Sequence, residues 1–164
     1  MDYRLGTLED IQEICTMVDA AKALMSEQGI EQWDEFYPCM DDFKDDIKKE
    51  TLYVASEDDK LAAIYVISEE CDDEYRKCEW ENENPCIIHR LCVSPDFQNN
   101  GVGKKILAHI ENQLMDMDYD SVRLDVFTEN PFALSLYDKN GYTKRGHADW
   151  RKGRFYLMEK KLNR

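Results

Sequence analysis

The residues Ile87-Ile88-His89-Arg90-Leu91-Cys92-Val93-Ser94-Pro95-Asp96-Phe97-Gln98-Asn99-Asn100-Gly101-Val102-Gly103-Lys104-Lys105 have types and spacing that can bind an anion. An apolar run leads through a polar, glycine-containing loop into the start of an amphipathic helical pattern. Loop amides at a helix N-terminus form an anion site, and glycines let a phosphate approach the backbone closely. Lys104 and Lys105 fall in the first helical turn, where cations oppose the helix dipole at ~0.3–1 kcal/mol each, a sign that a bound polyanion reverses. Residues 97–110 contain no Asp or Glu, although 35 of the 164 residues are acidic. These features point to a phosphate site. The competing reading is a plain strand–loop–helix connection with two solvated lysines. Two common phosphate loops do not fit. A Walker A loop needs glycine where Gln98 stands and Ser or Thr where Lys105 stands. The dinucleotide fingerprint fails because Ile106 replaces its third glycine and the loop is too long for that tight turn.

The elements that must position this segment follow from periodicity. Residues 2–5 read as a short strand. Thr7, three before Asp10, opens a helix in the manner of a capping box, and Leu8, Ile11, Ile14, Cys15, Val18, Ala21 and Leu24 continue it at helical spacing to about Gly29. An acidic helix is expected over 41–50. Strands follow at 51–56 and 61–68, joined by the turn-like Glu57-Asp58-Asp59-Lys60. Residues 69–84 form a charged insertion whose only large apolar groups are Tyr75 and Trp80. The run 86–93 reads as a central strand, interrupted by His89 and Arg90 and stopped by Pro95. A helix over 101–117, a strand over 121–127, a helix over 130–140 with Gly141 at its C′ position and a closing strand over 155–161 complete the chain. This order gives an α/β (α+β) fold, a mixed central sheet flanked by helices, in one domain spanning 1–164.

Composition narrows the function classes. With 35 acidic against 21 basic residues and a net charge of −14, the chain lacks the basic footprint of a nucleic-acid or anionic-membrane binder. No stretch approaches the ~18 uninterrupted apolar residues of a membrane span, and the N-terminal residues lack a secretory pattern, so a cytoplasmic location is expected. The six cysteines show no C-x-x-C pair and read as free thiols, and His89, His109 and His147 fall at no metal-ligand spacing, so no metal is expected.

Val93, Pro95, Gln98, Gly101 and Gly103 stand as V-x-P-x-x-Q-x-x-G-x-G, which resembles the acetyl-CoA-binding motif of the GNAT N-acetyltransferase superfamily. Residues 130–137, Asn-Pro-Phe-Ala-Leu-Ser-Leu-Tyr, resemble that family's N-x-x-A-x-x-x-Y helix, and Gly141-Tyr142 follows. The likeness spans nearly the whole chain and is specific from residue 87 onward. It implies two parallel strands that splay beside a bulge at the CoA site. The amides of Gln98, Asn99, Asn100, Gly101, Val102, Gly103 and Lys104 would hold the CoA pyrophosphate. Leu91 and Val93 would pair with the pantetheine arm through their backbone, and Asn130 would touch the same arm. Tyr137 would lie near the sulfur.

The implied reaction, attack of a neutral amine on a thioester, needs a base, oxyanion donors and an acid for the thiolate. Tyr137 suits the acid, since a phenol (pKa ~10) can protonate a thiolate (~8.5); the alternative is a tyrosine packed in the core with its hydroxyl bonded. His89 is the candidate base, where the family often has Glu. A packed histidine, or water-relayed deprotonation through Glu79, Glu81 or Glu83, competes with it. Asp125 would meet a substrate ammonium or pair with Arg123 or Arg90. Trp33 and Tyr37, where the family builds its acceptor wall, offer cation–π contact or ordinary packing.

The implied activity is acetyl transfer from acetyl-CoA to a primary amine of a small molecule in a ternary complex, without an acyl-enzyme on Cys92. A non-catalytic acyl-CoA-binding module and a protein or peptide amine acetyltransferase compete with it, and homodimers are frequent among such folds. Residues 34–50 hold seven acids against three bases, and residues 69–83 hold eight against two. These two segments, expected on the acceptor side, suggest a cationic acceptor steered by a negative rim.

Overall fold

The computed structural model describes residues 1–163. Its strands are β1 (Asp2–Leu5), β2 (Leu52–Glu57), β3 (Lys60–Ser68), β4 (Pro85–Val93), β5 (Ser121–Phe127), β6 (Thr143–Trp150) and β7 (Gly153–Lys161). The helices are α1 (Ile11–Glu27), α2 (Met40–Lys48), α3 (Asp73–Lys77), α4 (Val102–Asp116) and α5 (Pro131–Lys139). Strands pair in the order β1-β2-β3-β4-β5-β7-β6, a mixed sheet in which β4 and β5 run parallel. The expected α/β class with a mixed sheet and flanking helices is the fold observed.

The chain divides into two compact units: residues 1–67 with 90–102, and residues 68–89 with the chain from Gly103 on. In the first unit, β1 and β3 flank β2 in antiparallel register. Asp58 and Asp59, both at positive φ, make the tight β2–β3 turn that the acidic tetrapeptide promised. The Thr7 amide donates to the Asp10 carboxylate at 2.7 Å, and Arg4 clasps the same carboxylate at 2.8 and 2.9 Å. That capping box closes a 3-10 turn at Leu8–Asp10, after which α1 begins. Ile14, Met17, Val18 and Ala21 of α1 pack with Phe43 of α2, Leu52 and Val54 of β2, Ile64 and Val66 of β3, and Cys92 of β4.

In the second unit, β5 pairs antiparallel with β7 along its whole length, from Ser121↔Lys161 to Phe127↔Phe155. Its parallel register with β4 runs from Pro85↔Ser121 to Ile87↔Arg123. Two elements depart from the sequence expectation. Strand β6, read as a connection, forms a hairpin with β7 and carries a register shift between Lys144 and Gly146. Its polar run Thr143-Lys144-Arg145-Gly146 hid it, because an edge strand needs little apolar alternation. The insertion 69–84 contains the short helix α3, whose Tyr75 packs with Ile87, Ala148 and Leu157. Two well-placed apolar residues are enough to seat it.

The insertion is pinned by one buried acid. Glu159, 2% exposed on β7, accepts the amides of Glu81 and Asn82 at 2.9 and 3.1 Å. Arg145 bonds the same carboxylate at 3.3 Å, and Arg123 stacks on Trp80 with its guanidinium 4.4 Å from the ring centre. A buried carboxylate is tolerated here because hydrogen bonds and a guanidinium replace its water.

Candidate active site

Ser94 ends β4 by donating its amide to Ala62 O at 2.7 Å, and its hydroxyl accepts from the Asp96 amide at 3.3 Å. Pro95 opens a 3-10 turn over Pro95–Phe97. The Gln98 side chain folds back to donate to Val93 O at 3.0 Å, tying the loop to the strand it leaves. Asn99 and Gly101 then take positive φ, 67° and 73°. Left-handed residues at alternate positions turn successive amides toward one concavity, a shape that holds anions. The first-turn amides of α4 lack intrahelical acceptors and add to that field.

Gly103 sits just inside α4 without a positive φ, and an added Cβ would meet Leu136 at 3.5 Å, an ordinary contact. Neither conformation nor packing therefore requires glycine there. Lys104 and Lys105 are exposed beside it.

On β4, Leu91 and Val93 are half-buried. Arg90 interrupts the strand at φ 47°, which costs a non-glycine residue ~1–3 kcal/mol. The kink is where the resemblance expects a bulge. Arg90 Nε donates to Asp46 Oδ2 at 2.7 Å, and its terminal nitrogens reach Asp46 Oδ1 and, at 2.8 Å, the Tyr37 hydroxyl. Asp46 is 4% exposed. Burial raises its carboxyl pKa against the opposing pull of Arg90, whose own pKa is raised by Asp46 and Tyr37 despite burial. Arg90 therefore pairs with Asp46, and Asp125 pairs elsewhere.

Tyr37 and Trp33 part company. Trp33 lines a cavity of about 630 Å3 together with Asp19, Lys22, Glu31, Asp34 and Glu35. Tyr37 is not part of that lining, whose aromatic groups are Trp33 and Phe43; it bonds Arg90. The segment between them turns on Asp34, whose carboxylate accepts the amides of Phe36 and Tyr37 at 2.9 and 3.1 Å. Lys22 Nζ holds its far end through Pro38 O at 2.6 Å.

In the second unit, Asn130 caps α5, its side-chain oxygen accepting the Ala133 amide at 3.1 Å. Pro131 occupies the first helical position, where its missing N–H costs nothing. Tyr137, 8% exposed, packs edge-on against Tyr142 with ring centres 5.5 Å apart. Its hydroxyl donates no hydrogen bond among the described residues, unlike the bonded core tyrosine of the competing reading. Burial, reinforced by the Asp125 carboxylate, holds its pKa well above that of a free phenol.

Asp125 accepts the Tyr75 hydroxyl at 2.6 Å, a partner the sequence did not suggest. The signal available was Tyr75 and Trp80 standing as the only large apolar groups in the insertion. Trp80 Nε1 bonds Tyr75 O at 2.7 Å, so the pair forms one unit. His89 is half-buried in β4. Of the alternative bases, Glu81 is bridged to Arg145 at 2.6 Å, while Glu79 and Glu83 are exposed. Cys92 is a core residue whose thiol burial pushes up to about 12, a poor nucleophile. Among the described residues no cluster of metal-binding side chains occurs, and no helix is long and apolar enough to cross a membrane.

Comparisons with known proteins bear on the family and the fold. A family model described as the acetyltransferase (GNAT) family matches residues 17–142. The Bacillus subtilis protein called uncharacterized N-acetyltransferase YesJ is 26% identical over 159 residues, covering 94% of this chain and 86% of the relative. The S-(2-succino)cysteine N-acetyltransferase of the same organism is 22% identical over 165 residues, covering 97% and 94%. Among solved structures, a GNAT-family acetyltransferase from Streptococcus agalactiae superposes with a TM-score of 0.89 at 23% identity, over 99% of this chain and 96% of that one. The PaiA N-acetyltransferase of Thermoplasma acidophilum, solved in complex with coenzyme A, gives 0.73 at 20% identity over 98% of both chains. The family match takes in the β4 strand, the glycine loop and the Tyr137 helix alike, and the chain belongs to the GNAT acetyltransferase family, an acyltransferase family that uses acetyl-CoA.

Proposed function

We propose that this acetyltransferase moves the acetyl group of acetyl-CoA to the primary amine of a small cationic molecule, by direct attack in a ternary complex. The observation that carries the reading is the loop 98–104: two left-handed residues, a glycine inside a helix that needs none, and a helix N-terminus free of acidic residues. In this reading acetyl-CoA supplies the activated acyl group. Gln98, Asn99, Asn100, Gly101, Val102, Gly103 and Lys104 hold its pyrophosphate, Leu91 and Val93 align its arm, and Asn130 lies beside the arm at the cap of α5. Tyr137 donates the proton that the departing thiolate needs.

His89 takes a proton from the acceptor ammonium. Trp33 faces a cavity rimmed by Asp19, Glu31, Asp34 and Glu35, which suits a cation on a short apolar body. Asp125, whose carboxylate accepts the Tyr75 hydroxyl at 2.6 Å, is a further acid offered to a substrate ammonium. The name of one relative, an acetyltransferase for the amino group of a modified cysteine, supports a small acceptor. The test is thiol release from acetyl-CoA across a panel of amines at two salt concentrations. Turnover on small cationic amines, with kcat/KM falling as salt rises, supports the reading. Tight CoA binding without turnover on any amine refutes catalysis, and equal kcat/KM for neutral and cationic amines refutes the charge preference.

A further inference from the structure

We infer that Arg90 is a positioning residue that locks the 31–39 segment to the CoA-binding strand, so that loading of β4 is felt at the acceptor loop. The inference rests on the proposed CoA role of β4 and names a coupling within that site. Three features carry it. Arg90 is the only non-glycine residue at positive φ inside a strand among the described residues. Such a kink persists where surrounding contacts over-determine it. The contacts are present: a two-point ion pair to Asp46 of α2 and a hydrogen bond at 2.8 Å to the Tyr37 hydroxyl.

Each partner is itself fixed. Asp46 is 4% exposed, and its carbonyl accepts both the amide and the hydroxyl of Thr51, at 3.0 and 3.2 Å. Tyr37 ends the Asp34 turn, its amide donating to the Asp34 carboxylate at 3.1 Å, and Trp33 directly precedes that turn. A guanidinium has a rigid fork, so it cannot keep three bonds while the strand beneath it shifts. Residue 90 directly precedes Leu91, whose backbone is assigned to the ligand arm. Straightening or tightening of β4 on loading therefore moves the Arg90 side chain, and with it the Tyr37 hydroxyl. Tyr37 acts through Arg90 as a latch rather than as part of the acceptor wall, which explains why it stands outside the Trp33 cavity.

The experiment is amide hydrogen exchange on the full chain, with and without CoA as the probe, in the parent, Tyr37→Phe and Arg90→Lys. Tyr37→Phe keeps the ring and removes one bond. Arg90→Lys keeps the charge and removes the fork. In the parent, CoA is expected to slow exchange both at 91–93 and at 31–39. In each variant, slowing at 91–93 is expected to persist while the CoA-dependent slowing at 31–39 falls by about fivefold, the factor carried by one hydrogen bond of ordinary strength. A purely structural role would raise exchange at 31–39 equally with and without CoA, and that result overturns the coupling. So does undiminished slowing at 31–39 in both variants. Absence of CoA-dependent slowing at 91–93 in the parent overturns the CoA assignment itself and the coupling with it, and so separates the two failures.

Discussion

Replacing Gly103 by alanine should stabilise the free protein and weaken CoA binding. Gly103 lies in α4 without a positive φ, and the new methyl would meet only Leu136 Cδ2 at 3.5 Å and Cδ1 at 3.8 Å, so no clash opposes it. Alanine in place of a helical glycine gains about 0.5–1 kcal/mol, chiefly by restricting the unfolded chain. For a chain of this size that raises the melting temperature by about 1–4 °C. Under the proposed reading, the same methyl would stand where a pyrophosphate approaches the α4 amides. Loss of one charge-assisted hydrogen bond of ~1.5–3 kcal/mol weakens binding at least about tenfold. Gly101 provides the control. It sits at φ 73° with open space around it, so Gly101→Ala meets no atom but strains the backbone and should lower stability by about 1 kcal/mol. The two substitutions thus move thermal stability in opposite directions and CoA affinity in the same direction. Melting without ligand and calorimetric titration with CoA read both. Gly103→Ala binding CoA as tightly as the parent refutes the assignment of this loop to the pyrophosphate.

Four further outcomes follow from the geometry. Tyr137→Phe should lower kcat by about 10²–10⁴-fold with little change in CoA affinity, the signature of a lost proton donor; retained kcat removes that role. Tyr75→Phe frees the Asp125 carboxylate from its 2.6 Å bond and should raise KM for the amine more than it changes kcat, and steady-state kinetics on the best amine from the panel decides this. Cys92→Ala should keep kcat and lower stability by about 1 kcal/mol, because the thiol is a buried packing group; loss of turnover with the fold intact would reinstate an acyl-enzyme. The Arg4 hydrogen bonds, followed by the Thr7 amide, hold the Asp10 carboxyl below its usual pKa. A depressed pKa contributes stability that is complete above about pH 4 and is lost as pH falls through the folded value. The advantage of the parent over Asp10→Asn, about 1 kcal/mol or less for a partly exposed pair, should therefore shrink in melts between about pH 5 and 2.5.

Local chemistry made much of this legible in sequence. The turn into α4 could be read because glycine spacing, the absence of acids and a helix start are properties of consecutive residues. The Thr7–Asp10 cap, the Asp58-Asp59 turn and the Gly141 terminus are legible for the same reason: each is settled within a few residues by backbone sterics and hydrogen bonding. Strand β6 was not, since its pairing with β7 supplies what its polar sequence does not advertise.

What the sequence determined by itself is the family; it also singled out the 98–104 loop and Tyr137 as the groups to test. What only the tertiary structure decided is which partner each polar group takes. Asp125 goes to Tyr75, fifty residues away, and Arg90 to Asp46 and Tyr37 rather than to Asp125. Trp33 lines a cavity that Tyr37 does not share. The physical reason is the strength of a buried charge's demand for a partner. That demand fixes that some partner must exist, and the choice among a chain's 35 acids and 21 bases is made only when the backbone has brought one of them within hydrogen-bonding distance.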